Sequence, residues 1–206
     1  MTASHLSARH FSYRAAKVIT EVFAPVPSSL VVVAFIAWHF APTKSDAIRD
    51  AILGILLALL LPFGYLLRQV RRGHVTDRHV ELRTQRPRIL LVFFLGVLAT
   101  LAVLLVVGSP SELIALIGAS LVGLVVALTI TLFWKISIHA GVAAGITTIF
   151  MILFGPWVLL MAPFVMAVGW ARVRLGDHTA TQVATGTFIG ALVSGIAFTV
   201  FMIVLR

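Results

Sequence analysis

The sequence predicts an all-α, polytopic membrane protein of six or seven transmembrane helices, and two observations carry that prediction. Of its 206 residues 60% are hydrophobic and 11% charged, with a mean hydropathy of +1.08, far outside the range of a soluble domain. Apolar runs long enough to cross ~30 Å of hydrocarbon recur along the whole chain. These runs are continuous and do not alternate apolar and polar residues, which argues against a porin-like barrel. The chain has no cysteine, so disulfides, thiolate catalysis and thiolate metal sites are excluded.

Residues 1–21, MTASHLSARHFSYRAAKVITE, lack the signal-peptide order of charge, apolar core and small-residue cleavage site. They read as an amphipathic N-terminal lead-in helix with Arg9, Arg14 and Lys17, and residues 22–206 read as a single integral membrane domain. Seven apolar segments follow, near 22–40, 50–67, 89–108, 112–134, 139–155, 156–171 and 180–205. Pro25 and Pro27 suit a helix start or a kink. In the block 136–171 the only titratable side chain is His139, and as one helix it would be about 54 Å long, too much for a single crossing. Gly155-Pro156 is the natural break, giving two short spans or a re-entrant pair. In the last segment Gly186 and Gly190 form a GxxxG, which serves either a close contact within the chain or a homo-oligomer face.

The net charge of +9 does not point to nucleic acid, because the basic residues are spread over short loops between spans. With seven spans, one side of the membrane receives the N-terminus, residues 68–88, Lys135, Arg172 and Arg174. The other side has only Lys44, Arg49 and Arg206. The positive-inside rule then places the basic side in the cytoplasm of a plasma (inner) membrane, with the C-terminus outside. Residues 68–88 carry seven basic and two acidic side chains and would attract anionic membrane lipids at roughly 1 kcal/mol per favourable charge. Lys135 and Arg174 read as interfacial anchors. Trp38, Trp134, Trp157 and Trp170 fall at or near span ends, as an aromatic belt does.

The same parity brings three polar stretches to one side: residues 67–88, WKISIHAG at 134–141 and ARVRLGDHTATQ at 171–182. His178 and Gln182 are four apart and share a helix face, so the amide can fix the imidazole's tautomer and leave its other nitrogen free to act. Arg172 and Arg86 offer planar forks that suit phosphate oxygens. His139 can hold a proton for a leaving oxygen. Two imidazoles and two guanidiniums suit phosphoryl transfer through a phosphohistidine. A metal-dependent reaction fits less well: these stretches offer only Asp77, Glu81 and Asp177, with no HExxH and no DxxDGxxAR signature.

These residues resemble the signatures of the type 2 phosphatidic acid phosphatase superfamily, the metal-independent membrane lipid phosphatases. That family carries K-x6-R-P, then P-S-G-H, then S-R-x5-H-x3-D. The third is matched in spacing by Ala171-Arg172, His178 and Gln182, with Ala for Ser and Gln for Asp. The first keeps Arg86-Pro87 and has His79 in the lysine position. The second stands as Ile136-Ser137-Ile138-His139. The order of the three and the separations of 53 and 39 residues from Arg86 to His139 and His139 to His178 suit the family, over roughly residues 70–205.

The resemblance implies a phosphatase-like membrane domain that needs no cofactor. It makes His178 the nucleophile, His139 the general acid and Gln182 the stand-in for the orienting aspartate. Arg86, Arg172 and His79 would bind phosphate, with Ser137 helping through its hydroxyl or backbone N–H. Arg78 or Arg83 is an alternative to His79. Gln182 is neutral and cannot stabilise an imidazolium as a carboxylate does. Ile138 crowds an approach that glycine leaves open. Asp177, next to His178, would point elsewhere if both lay on one helix.

The function expected is hydrolysis of a phosphomonoester or diphosphate on a membrane lipid. A polyprenyl phosphate or diphosphate, a phosphatidate-like lipid and a lipid-linked sugar phosphate all fit. The alternative is a weakened family member that binds phospholipid headgroups or scaffolds a partner. A small transporter ranks last, because the spans are almost free of polar residues.

Overall fold

Prolines, glycines and hydroxyl side chains set the helix boundaries. The computed structural model describes residues 3–205, with side chains from residue 11 onward; Arg9 and Arg206, both used in the charge assignment, lie outside the described side chains. Helix α1, Ala3–Val22, stops just before α2, Pro25–Phe40, where Pro25 fits the first turn because no N–H is needed there. Thr43 caps α3, Lys44–Gly54, its hydroxyl accepting the Asp46 N–H at 3.1 Å. A π turn, Ile55–Leu60, joins α3 to α4, Leu61–Arg71, as one helical stretch. Pro62 accounts for that turn: its ring would clash with the carbonyl four residues back, and one extra residue in the coil makes room.

α4 ends in a Schellman turn at Gly73 (φ +74°), with Gly73 N–H on the Val70 carbonyl and His74 N–H on that of Gln69, both 3.0 Å. A 3-10 turn, Arg83–Gln85, leads into α5, Arg86–Val107, which closes at Gly108 in the left-handed region. α6 follows at Ser111–Phe133. Ser137 caps α7, Ile138–Phe154, and Gly155 (φ +96°) with Pro156 turns the chain into a 3-10 segment, Pro156–Met161. That segment runs into α8, Ala162–Arg174, and α9 spans Ala180–Val204.

The protein is thus an all-α polytopic membrane helix bundle, integrated in a membrane through five long apolar stretches. These are Lys44–Arg71, Arg83–Val107, Ser111–Phe133, Pro156–Arg174 and Ala180–Val204; counting Phe11–Val22 with Pro25–Phe40 as one broken span makes six. The seven segments drawn from the sequence differ in three places. The segment from 50 to 67 belongs to a helix that starts at Lys44 and ends at Arg71. The first is interrupted before Pro25. α7 has 17 residues, about 26 Å of helix, less than the ~30 Å of a bilayer core.

The chain divides into two compact units, residues 1–28 with 136–192 and residues 29–135 with 193–206. The first packs through small side chains: Ala16 of α1, Ala140, Ala143 and Ala144 of α7 and Ala171 of α8 are buried. Small residues let helices approach closely where no hydrophobic force separates protein from lipid. Arg174, expected as an interfacial anchor, donates its Nε–H to Ser12 Oγ at 3.0 Å and so ties α8 to α1.

In the second unit α5 lies directly on the π turn. A Cβ at Gly96 would stand 2.6 Å from the Leu57 carbonyl oxygen and 2.7 Å from Pro62 Cγ. Asp50, placed by the sequence at a span start, is fully buried. Its Oδ1 accepts the Arg49 Nε–H at 2.9 Å, while Arg49 also meets Asp46 at 3.0 Å. Leu66, Val75, Val80 and Ile89 form a buried cluster that holds the basic loop after α4 against its flanking helices. Because the Gly96 contact is with backbone, Gly96→Ala should cost about 1–3 kcal/mol. Thermal unfolding of the purified protein in detergent measures it, and an unchanged midpoint would refute the close approach.

Candidate functional site

The turn from α8 to α9 gathers the third sequence signature. Gly176, at φ +79°, reverses the chain just past the end of α8, and the His178 N–H closes the turn on the Arg172 carbonyl at 3.3 Å. Arg172 is 1% exposed and meets Asp177 Oδ2 at 2.8 Å through a terminal nitrogen. His178 is buried, and its Nδ1 lies 3.1 Å from Gln182 Oε1.

Gln182 has a second task. Its Oε1 also accepts the Thr179 N–H at 3.2 Å, and Thr179 Oγ1 accepts the Gln182 N–H at 3.3 Å. This reciprocal pair is the capping box T-x-x-Q, which satisfies two N–H groups at the start of α9. An amide oxygen can only accept, so the shared contact assigns a proton to His178 Nδ1.

The start of α7 lies against the same turn of α9. Ser137 donates its N–H to the Gln182 carbonyl at 3.2 Å, and its hydroxyl accepts from Ala140 N–H at 3.4 Å. Those two bonds commit the Ser137 backbone and lone pair to structure, leaving its O–H to donate. The approach depends on glycine. A Cβ at Gly186 would lie 2.5 Å from the Ser137 carbonyl oxygen, and one at Gly190 2.2 Å from that of Gly141. The GxxxG therefore serves a contact inside the chain, with α7 covering the face considered for a homo-oligomer. His139, buried, occupies the first turn of α7. Two helix N-termini with their partial positive charge, and the buried Arg172 guanidinium, thus belong to one unit with both candidate histidines.

The first signature belongs to the other unit. Asp77 organises the loop there: its Oδ1 accepts the His79 N–H at 2.7 Å, and its Oδ2 the Glu81 N–H at 3.3 Å and the Thr76 hydroxyl at 3.1 Å. Val80 is held at φ +51°, unusual for a β-branched residue, and its carbonyl accepts the Nε–H of the buried Arg86 at 2.8 Å. Arg83, the alternative to His79, instead donates to the Thr131 and Leu132 carbonyls and caps the C-terminus of α6. Among the described residues no three His, Cys, Asp or Glu side chains gather as a metal site.

Comparison with protein-family models, curated proteins and solved structures returns no match to this chain. The sequence reading passed over two features of the site: the capping box, legible as Thr179-x-x-Gln182, and the Arg172–Asp177 pair. Gln182→Ala should lower stability by about 1 kcal/mol through loss of the box, while Gln182→Glu, which keeps the acceptor, should not. Thermal unfolding of both variants is the check, and equal losses would deny the side-chain oxygen its capping role.

Proposed function

We propose that this chain is a metal-independent phosphohydrolase acting on a lipid-borne phosphomonoester or diphosphate, a divergent relative of the type 2 phosphatidic acid phosphatases. The observation that supports it most is the His178 Nδ1 to Gln182 Oε1 contact of 3.1 Å, which orients the imidazole from behind as a nucleophilic ring requires. In this reading Nε2 attacks the terminal phosphorus, its bond to the leaving oxygen breaks, and His139 protonates that oxygen, which belongs to a lipid alkoxide in a monoester and to a lipid phosphate in a diphosphate. Water then attacks the phosphohistidine, and inorganic phosphate leaves. Negative charge on the phosphoryl oxygens is met by Arg172 and the N-termini of α7 and α9. A polyprenyl phosphate or diphosphate, a phosphatidate-like lipid or a lipid-linked sugar phosphate carries the required group.

Two observations favour a second reading, headgroup binding without turnover. Gln182 is neutral, and Asp177 already engages Arg172. Loss of the orienting charge in related triads costs on the order of 10² to 10⁴ in rate. The two readings separate when phosphate release from a panel of lipid phosphates in liposomes is measured with EDTA present. Turnover that falls about 10³-fold or more in His178→Ala and rises in Gln182→Glu supports hydrolysis. Anionic-lipid binding with no release from any substrate leaves only the second reading.

The charge asymmetry of the loops supports a cytoplasmic basic side in a plasma membrane. Because the chain has no cysteine, Arg78→Cys introduces a single reporter in an exposed loop position. A membrane-impermeant maleimide should label it in inverted vesicles and not in intact cells; the reverse pattern would put that loop outside.

A further inference from the structure

Asp177 takes no part in the phosphoryl-transfer steps proposed for Arg172 and the two histidines. A guanidinium that is 1% exposed needs a counter-charge, and Asp177, 12% exposed, supplies it at 2.8 Å. The placement is built into the turn: Gly176 takes the left-handed conformation, and His178 N–H holds the Arg172 carbonyl. A carboxylate oxygen 2.8 Å from a guanidinium nitrogen fills the place of an anion, and a phosphate oxygen would seek the same charge. A headgroup arriving at Arg172 therefore meets a like charge already in position.

We propose that Asp177 is the resting occupant of the anion site of Arg172, and that it sets which headgroups enter. This rests on Arg172 being a phosphate ligand. Bulk phospholipids surround the protein with phosphodiesters, each phosphate carrying one negative charge, and these fail to displace a built-in carboxylate. A phosphomonoester near pH 8 carries close to two charges and a diphosphate more, so they take its place. Asp177 thus sets a threshold: it weakens every incoming anion by the same factor, so weakly held phosphodiesters stay out while terminal phosphates still enter.

The test uses the full-length protein in detergent at pH 8, titrated calorimetrically with inorganic phosphate and with dimethyl phosphate. Wild type should bind phosphate and bind dimethyl phosphate at least about tenfold more weakly; Asp177→Asn should tighten both by about tenfold or more. Unchanged or weaker phosphate binding in the variant overturns the proposal while leaving Arg172 as a ligand. Phosphate binding by neither protein removes the Arg172 assignment and the proposal with it. Equal affinity of wild type for the two probes overturns the filter. Should Asp177→Asn fail to fold, hydrogen exchange in wild type decides: phosphate should speed exchange over residues 172–182 as the turn releases Asp177, and slower exchange overturns the proposal.

Discussion

The chemistry argued for the first unit depends on one backbone approach. Gly186 and Gly190 have no Cβ, so the start of α7 can lie against the first turns of α9, with Ser137 bonded to the Gln182 carbonyl. Any larger side chain on that face would meet a carbonyl oxygen well inside van der Waals contact. The contact brings the first turn carrying His139 to the turn carrying His178, and it points two helix N-termini toward one corner. In a lipid environment such an approach has to come from small residues, because greasy surfaces gain nothing by leaving lipid for each other.

At that corner the charges are closely matched. Arg172 is buried with a carboxylate beside it, and His178 rests on a neutral amide that is also half of a capping box. A phosphatase of the expected family would have its carboxylate behind the histidine. Here the acid is on the arginine instead, one residue before the histidine. Moving a charge by so small a distance changes what the site resists. On the proposed reading it stabilises a cation less and opposes an anion more.

Much of this was legible from residue types alone. Continuous apolar runs marked the membrane bundle, Gly155-Pro156 marked a reversal, and the i,i+4 spacing of His178 and Gln182 put ring and amide together. The Asp177 contact was not legible, because the spacing argument treated 177 and 178 as helical. Gly176 ends α8 and α9 begins only at Ala180, so the intervening turn can fold Asp177 back on Arg172. The capping of α6 by Arg83 was hidden for a related reason: composition shows a cation near other cations, not the open carbonyls that receive it. The burial of Asp50 was hidden too, since an aspartate at the edge of an apolar run looks like a loop boundary.

The π turn at Ile55–Leu60 fixes the phase of everything between it and the basic loop. An added residue rotates the downstream helix by roughly 100° relative to an unbroken coil. In that rotated setting Leu66 packs with Val75, Val80 and Ile89. Pro62 therefore does more than accommodate itself: by demanding the wider turn, it chooses which stripe of α4 the arginine-rich loop is buttoned to.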